Sequence, residues 1–119
     1  MEHIKKDRVH ELFNHIFNKL TPGGLFLAEM PNADSPHGLS ILFSDLTHEW
    51  AYTRRLLNQL YKIHGFVSPK ILPSDVRSNK LIRLAQKIIT KIFSGDDKFM
   101  YSSNLICVAY KPNSQVLIK

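Results

Sequence analysis

Apolar residues recur with a helical period in three stretches of the chain and run together, strand-like, in three others. From about Asp7 to Leu20, Val9, Leu12, Phe13, Ile16, Phe17 and Leu20 keep the i, i+3, i+4 spacing of a helix with one buried face. Asp7 is placed to cap that helix, and Thr21-Pro22-Gly23-Gly24 to end it. The short apolar run Leu25 to Glu29, closed by Met30-Pro31-Asn32, suits a buried strand. A second helix is expected after Thr53 as N-cap, with Leu56, Leu57, Leu60 and Tyr61 on one face and Gly65 as the stop. Phe66 to Leu72 reads as a strand that Pro69 confines to a sheet edge, because proline has no N–H to give to the ladder. A third helix, from about Lys80 to Phe93, directs Leu81, Leu84, Ala85, Ile88, Ile89, Ile92 and Phe93 inward, with Ser78 or Asn79 as its cap. The last strand is Asn104 to Tyr110, closed by Pro112-Asn113.

Between Pro31 and about Trp50 the pattern is irregular, with Pro, Gly, Ser, Asn and Asp mixed among single apolar residues. A loop of that length, residues 31–50, is expected to be either functional or partly disordered. Alternating helices and strands predict an α/β domain in which helices cover a sheet. Three strands are few for such a design. One of them must present an unpaired edge unless something covers it, the first sign that residues 1–119 are a single but partial domain.

Composition changes this picture little. The 119 residues suit one domain, and the single cysteine, Cys107, rules out a disulfide within the chain and points to a reducing, cytoplasmic setting. The formal net charge of +6 admits an acidic partner such as nucleic acid or an anionic surface. Lys5, Lys6 and Arg8 cluster, as do Arg54 and Arg55, but the other basic residues recur at helical intervals among Leu and Ile, as on solvated helix faces. No apolar stretch approaches the roughly 18 residues of a membrane span, and no membrane partner is expected.

Five phrases then fall in an order that resembles the class I S-adenosylmethionine-dependent methyltransferases. They are Glu2-His3-Ile4, Leu20-Thr-Pro-Gly-Gly24 followed by the apolar run to Pro31-Asn32, Asp45-Leu-Thr-His48, Tyr52-Thr53 with Leu56 to Leu60 and Gly65-Phe66, and Asn104 to Lys111. The match spans residue 2 to about residue 111. It implies the C-terminal half of a Rossmann-like methyltransferase sheet: three strands, the last inserted antiparallel between the other two, and about three helices. The family holds its cofactor with a G-x-G-x-G-type turn after its first strand, and this sequence has no such turn among its five glycines. S-adenosylmethionine is thus expected for the complete enzyme, with a missing N-terminal half or another chain at the open sheet edge.

The same resemblance supplies candidate site residues. Pro31 and Asn32 end a strand at the edge where open α/β sheets bind ligands, and with His48, Trp50 and Tyr52 they are candidates for a substrate pocket, the 31–50 loop serving there as a substrate-side lid or packing against the missing half. In the small-RNA 2'-hydroxyl methyltransferases and some quinone O-methyltransferases an E-x-x-E-H phrase supplies metal ligands, and in the RNA enzymes a later histidine joins them. Glu2, His3 and His48 stand in those places, although the first glutamate would fall before Met1. Such donors suit a divalent ion that orients and acidifies a substrate hydroxyl. His10, His15 and His64 read as surface residues of helices, and His37 belongs to the irregular segment.

The expected activity is methyl transfer to an oxygen, on a small molecule or a sugar- or quinone-like hydroxyl, by an assembly of which this chain alone is inactive. Two rivals stand beside it. One is a basic nucleic-acid-binding module, or part of an RNA-directed methyltransferase, using Lys5, Lys6, Arg54 and Arg55. The other is a degenerate half that serves as a subunit or scaffold through its open edge.

Overall fold

The structure, a computed structural model, describes residues 1–74, 79–92 and 102–113. A single 3-10 turn, Lys6–Arg8, leads into α1 (Val9–Lys19). There follow β1 (Leu25–Pro31), α2 (Pro36–Phe43), α3 (Arg54–Ile63), β2 (Val67–Pro73), α4 (Lys80–Ile92) and β3 (Asn104–Tyr110). The strands form one sheet in the order β1-β3-β2, with β3 in the centre and antiparallel to both neighbours. This is the α/β arrangement that the resemblance implies, with the last strand between the other two.

The local signals explain most boundaries. Thr53 caps α3 by accepting a hydrogen bond from the Leu56 N–H (3.1 Å), and Asn79 Oδ1 does the same at α4 for Ile82 (2.9 Å). Ser78 and Phe93 lie outside the described residues. Gly65 follows α3 with φ +85, and Gly23 turns the chain from α1 to β1 with φ +77, where an L side chain is strained. β2 lies at an edge as Pro69 requires, and its register against β3 shifts between Val67 and Lys70, where Ser68 and Pro69 interrupt the pairing.

Three expectations need correction. Asp7 does not cap α1. The 3-10 turn precedes the helix, Arg8 occupies the cap position with helical dihedrals, and no side chain caps the N–H groups there. Residues 31–50 are not wholly irregular, since α2 occupies Pro36–Phe43 and raises the count of α-helices among the described residues to four. Its eight residues are too few to display a helical period. The apolar side chains of α4 do not point into the core: Leu81 is 76% exposed and Ile92 72%.

The core lies on one face of the sheet. Phe26 and Met30 of β1 and Leu105, Cys107 and Ala109 of β3 meet Val9 and Phe13 of α1 and Leu57, Leu60 and Tyr61 of α3. Phe13, Phe26, Tyr61 and Phe66 form a cluster of rings with centroids 5.1 to 6.4 Å apart, the spacing at which aromatic pairs gain beyond area burial. Strand alternation sends Leu25, Leu27 and Glu29 to the other face, where they are exposed, as is Leu72 of β2. Only one side of the sheet is covered by the described residues.

Candidate functional site

The carboxyl end of β1 is bound to its surroundings by polar contacts. The Asn32 side chain is engaged at both ends: its Nδ2 donates to the Ser102 carbonyl (2.9 Å) and its Oδ1 accepts from the Asp34 N–H (3.0 Å). Ser74, Ser102 and Asn104 are hydrogen-bonded together and join the end of β2 to the start of β3. The Asn32 carbonyl also lies where a Cβ on Gly38 would fall, 1.6 Å away, so α2 reaches its place over this turn only with glycine there. These serines and Gly38 carry no pattern that marks them in the sequence, where they read as loop residues.

From that turn the site extends to Tyr52. Asn32 forms a parallel bridge with Tyr52, and the Ala33 N–H donates to the Tyr52 carbonyl (2.9 Å). The Tyr52 side chain is fully buried, and its hydroxyl has no hydrogen-bond partner among the described residues. Burial, and after it the charge of Glu2, pushes the phenol up to about 12. Two residues earlier, Trp50 packs against the core with the Lys6 ammonium over its ring at 4.5 Å.

Glu2 is joined to this segment through its backbone. Its carbonyl accepts the N–H groups of Glu49 (2.7 Å) and Trp50 (3.2 Å). This brings the start of the chain against the residues after His48, and the side chains of Glu2, His3 and His48 converge. One potential ligand atom from each lies within 4.8 Å of the others. Partial burial pushes the Glu2 carboxyl up, but hydrogen bonds from its own N–H and the amino terminus, with the charges of that terminus and His3, outweigh it and hold the group below the usual range.

The hydrogen bonds of the two histidines fix their tautomers. His48 Nδ1 lies 2.8 Å from the Ile41 carbonyl, an acceptor only, so Nδ1 carries the proton and Nε2 a lone pair. His3 Nδ1 faces the Thr47 carbonyl (3.2 Å) and the Thr47 hydroxyl (3.0 Å). The Thr47 hydroxyl spends its own proton on Asp45 Oδ1 (2.7 Å), so it too accepts from His3. His3 Nε2 is then the lone-pair nitrogen, 3.8 Å from Glu2 Oε1. An imidazole that donates Nδ1–H to an oxygen and presents Nε2 has the arrangement of a metal ligand held by an outer partner. The D-x-T-H phrase acquires a role here: Asp45 holds Thr47 through its N–H (2.7 Å) and its hydroxyl, and Thr47 orients His3. The N–H and hydroxyl of Thr47 also keep the Asp45 carboxyl below its usual value.

Glu2, His3 and His48 are thus brought together, with Trp50 and Tyr52 beside them and Pro31-Asn32 linked through Tyr52. Beyond His3 an open groove of about 450 Å3 runs along the start of α1, lined by Ile4, Lys5, Arg8, Glu11, Leu12 and His15. Of the four basic residues considered for nucleic acid, Lys6 covers Trp50 and the Arg54 guanidinium pairs with Asp34 (3.6 Å), while Lys5 and Arg55 are exposed.

No protein-family model matches the chain, and no curated protein does. Among solved structures it is similar to the crystal structure of a SAM dependent methyltransferase from Archaeoglobus fulgidus, with a TM-score of 0.69 and 22% sequence identity. The alignment covers 92% of this chain and 55% of that one, so the chain spans about half the length of the structure it matches. That likeness shows the fold of this chain: its α/β arrangement is shared with about half of that structure.

Proposed function

We propose that this chain forms the C-terminal, substrate-side half of an S-adenosylmethionine-dependent methyltransferase acting on a hydroxyl of a small, sugar- or quinone-like molecule. The observation that carries the reading is the β1-β3-β2 sheet with its last strand antiparallel in the centre, in a chain that aligns over 92% of its length with 55% of a methyltransferase. The exposed face bearing Leu25, Leu27 and Leu72, and the free edge of β1, are the surfaces an N-terminal half would cover. The chain's own residues do not make a cofactor site of the glycine-rich kind, so that half supplies it. Methyl transfer depends mainly on alignment of acceptor, methyl carbon and sulfur, which accords with a half that offers walls and few acid-base groups.

Glu2, His3 and His48 suit a divalent ion within this reading, because both histidines present a lone pair at Nε2 and Glu2 brings a carboxylate oxygen to the same cluster. An ion there would polarise and acidify the acceptor hydroxyl. Calorimetry with S-adenosylmethionine is the test. The 119 residues alone are expected not to bind it, and a protein extended upstream through a glycine-rich strand-to-helix turn is expected to bind it and to transfer methyl groups. Tight binding by the 119 residues, or an upstream frame without such a turn, overturns the reading.

A further inference from the structure

α4 has a surface that the rest of the described chain does not use. At about 100° per residue, Leu84, Ile88, Leu81, Ile92, Ala85, Ile89 and Ile82 fill a continuous arc of about 160° on the helix. Gln86 and Thr90 follow, and Arg83, Lys87, Lys80 and Lys91 close the circle. No acidic residue interrupts the helix. All the large apolar residues of that arc are exposed, Leu84 at 56% and Ile88 at 55%.

Because β1 and β2 are both antiparallel to β3, their ends Pro31 and Pro73 lie at the same edge of the sheet. The segment after β1 carries Phe43, 84% exposed, and Leu46, fully exposed, and α4 follows β2. Two apolar segments therefore leave the sheet from one edge.

We propose that α4 docks on an anionic lipid bilayer, lying in the headgroup region with its apolar arc toward the acyl chains and Lys80, Arg83, Lys87 and Lys91 at the phosphates. A wide apolar arc opposite a polar face whose only charges are cationic is the pattern of an interfacial helix. A second copy fits less well, since paired α4 helices would bring the lysines that border the arc to the edge of the contact with no carboxylate on either helix to meet them. A groove in a partner protein takes a narrower stripe of anchors at i, i+3, i+4 and i+7. No helix of the described residues is long and apolar enough to cross a membrane, and α4 lies on the surface instead. The inward packing expected from the sequence had left these cations as a solvated face. With the apolar arc outside, the same cations face a membrane. Lipid association of α4 does not depend on methyl transfer.

Flotation of the 119-residue chain with vesicles of phosphatidylcholine, alone or mixed with phosphatidylglycerol, tests this. Association with the mixed vesicles is expected to weaken with salt and to fall about fivefold for each cation removed, as in Lys87→Gln and Lys91→Gln. Ile88→Glu, on an exposed position, is expected to abolish it with the circular dichroism unchanged. In Ile88→Trp the indole emission is expected to shift to the blue on mixed vesicles. Absence of flotation with the mixed vesicles at low salt overturns the proposal, as does equal flotation of Ile88→Glu. A dimer in light scattering that Ile88→Glu dissolves, or saturable binding to an acidic helix-binding protein without flotation, would also overturn it and assign the face to that partner.

Discussion

The rings of His3 and His48, 45 residues apart in sequence, meet edge to face with their centroids 4.8 Å apart, and each gives its Nδ1 proton to an oxygen of the segment between them. Their Nε2 atoms are thereby left to a common ligand. His48→Ala and His3→Ala are each expected to lower the affinity for zinc or manganese at least about tenfold, read by competition with a chelating dye. Thr47→Val, which deprives His3 of an acceptor, should weaken binding in the same direction while leaving every ligand present. Equal affinity in both alanine variants would remove the metal reading.

Tyr52→Phe deletes a buried hydroxyl that lacks a partner. Unfolding by urea should show the variant as stable as the native chain or more so, by up to about 1 kcal/mol. A loss larger than that would mean that the hydroxyl is bonded after all.

Gly38→Ala sets a methyl group against the Asn32 carbonyl. Backbone cannot yield as a flexible side chain does, so α2 must move. A loss of about 3 kcal/mol or more is expected in the urea midpoint, large beside ordinary surface changes.

Thr53→Ala removes the hydroxyl that accepts the Leu56 N–H and should cost about 1 kcal/mol, whereas Thr53→Ser should be nearly silent.

His64 makes stability depend on pH. Its Nδ1 donates to Asn14 Oδ1 (2.8 Å), so its Nε2 accepts from His10 Nδ1 (2.9 Å) and has no room for a proton of its own. Burial, and then the charge of His10, holds its pKa below the ordinary value. The folded chain thus binds fewer protons here than the unfolded one. The contribution is full above the unfolded pKa of about 6.5 and is lost as pH falls toward the lower folded pKa. Urea midpoints should fall between about pH 8 and about pH 5, and His64→Gln should flatten that part of the profile.

Much of the fold was legible because its signals are local. Thr53, Asn79, Gly65 and Pro69 each act through their own backbone, and β3 has the bounds its apolar run predicts, Asn104–Tyr110. The convergence of Glu2, His3 and His48 was legible only through the resemblance, since no periodicity relates residues 45 positions apart. What was not legible depends on tertiary context. α2 is one short helix whose place is set by Gly38 against Asn32, and Asp45 orients His3 through Thr47, a relay invisible until the turn closes. The period of α4 identified its apolar face correctly, but periodicity says that a face exists and not what it meets.

The two N–H bonds that hold the Glu2 carbonyl to Glu49 and Trp50 bear on how the protein should be handled at the bench. Anything fused ahead of Met1 starts beside His3 and His48, so a polyhistidine purification handle there would carry spare imidazoles into the same cluster. It could capture an ion with Glu2 and pass for a native centre. A histidine-free handle keeps metal titrations of this chain interpretable.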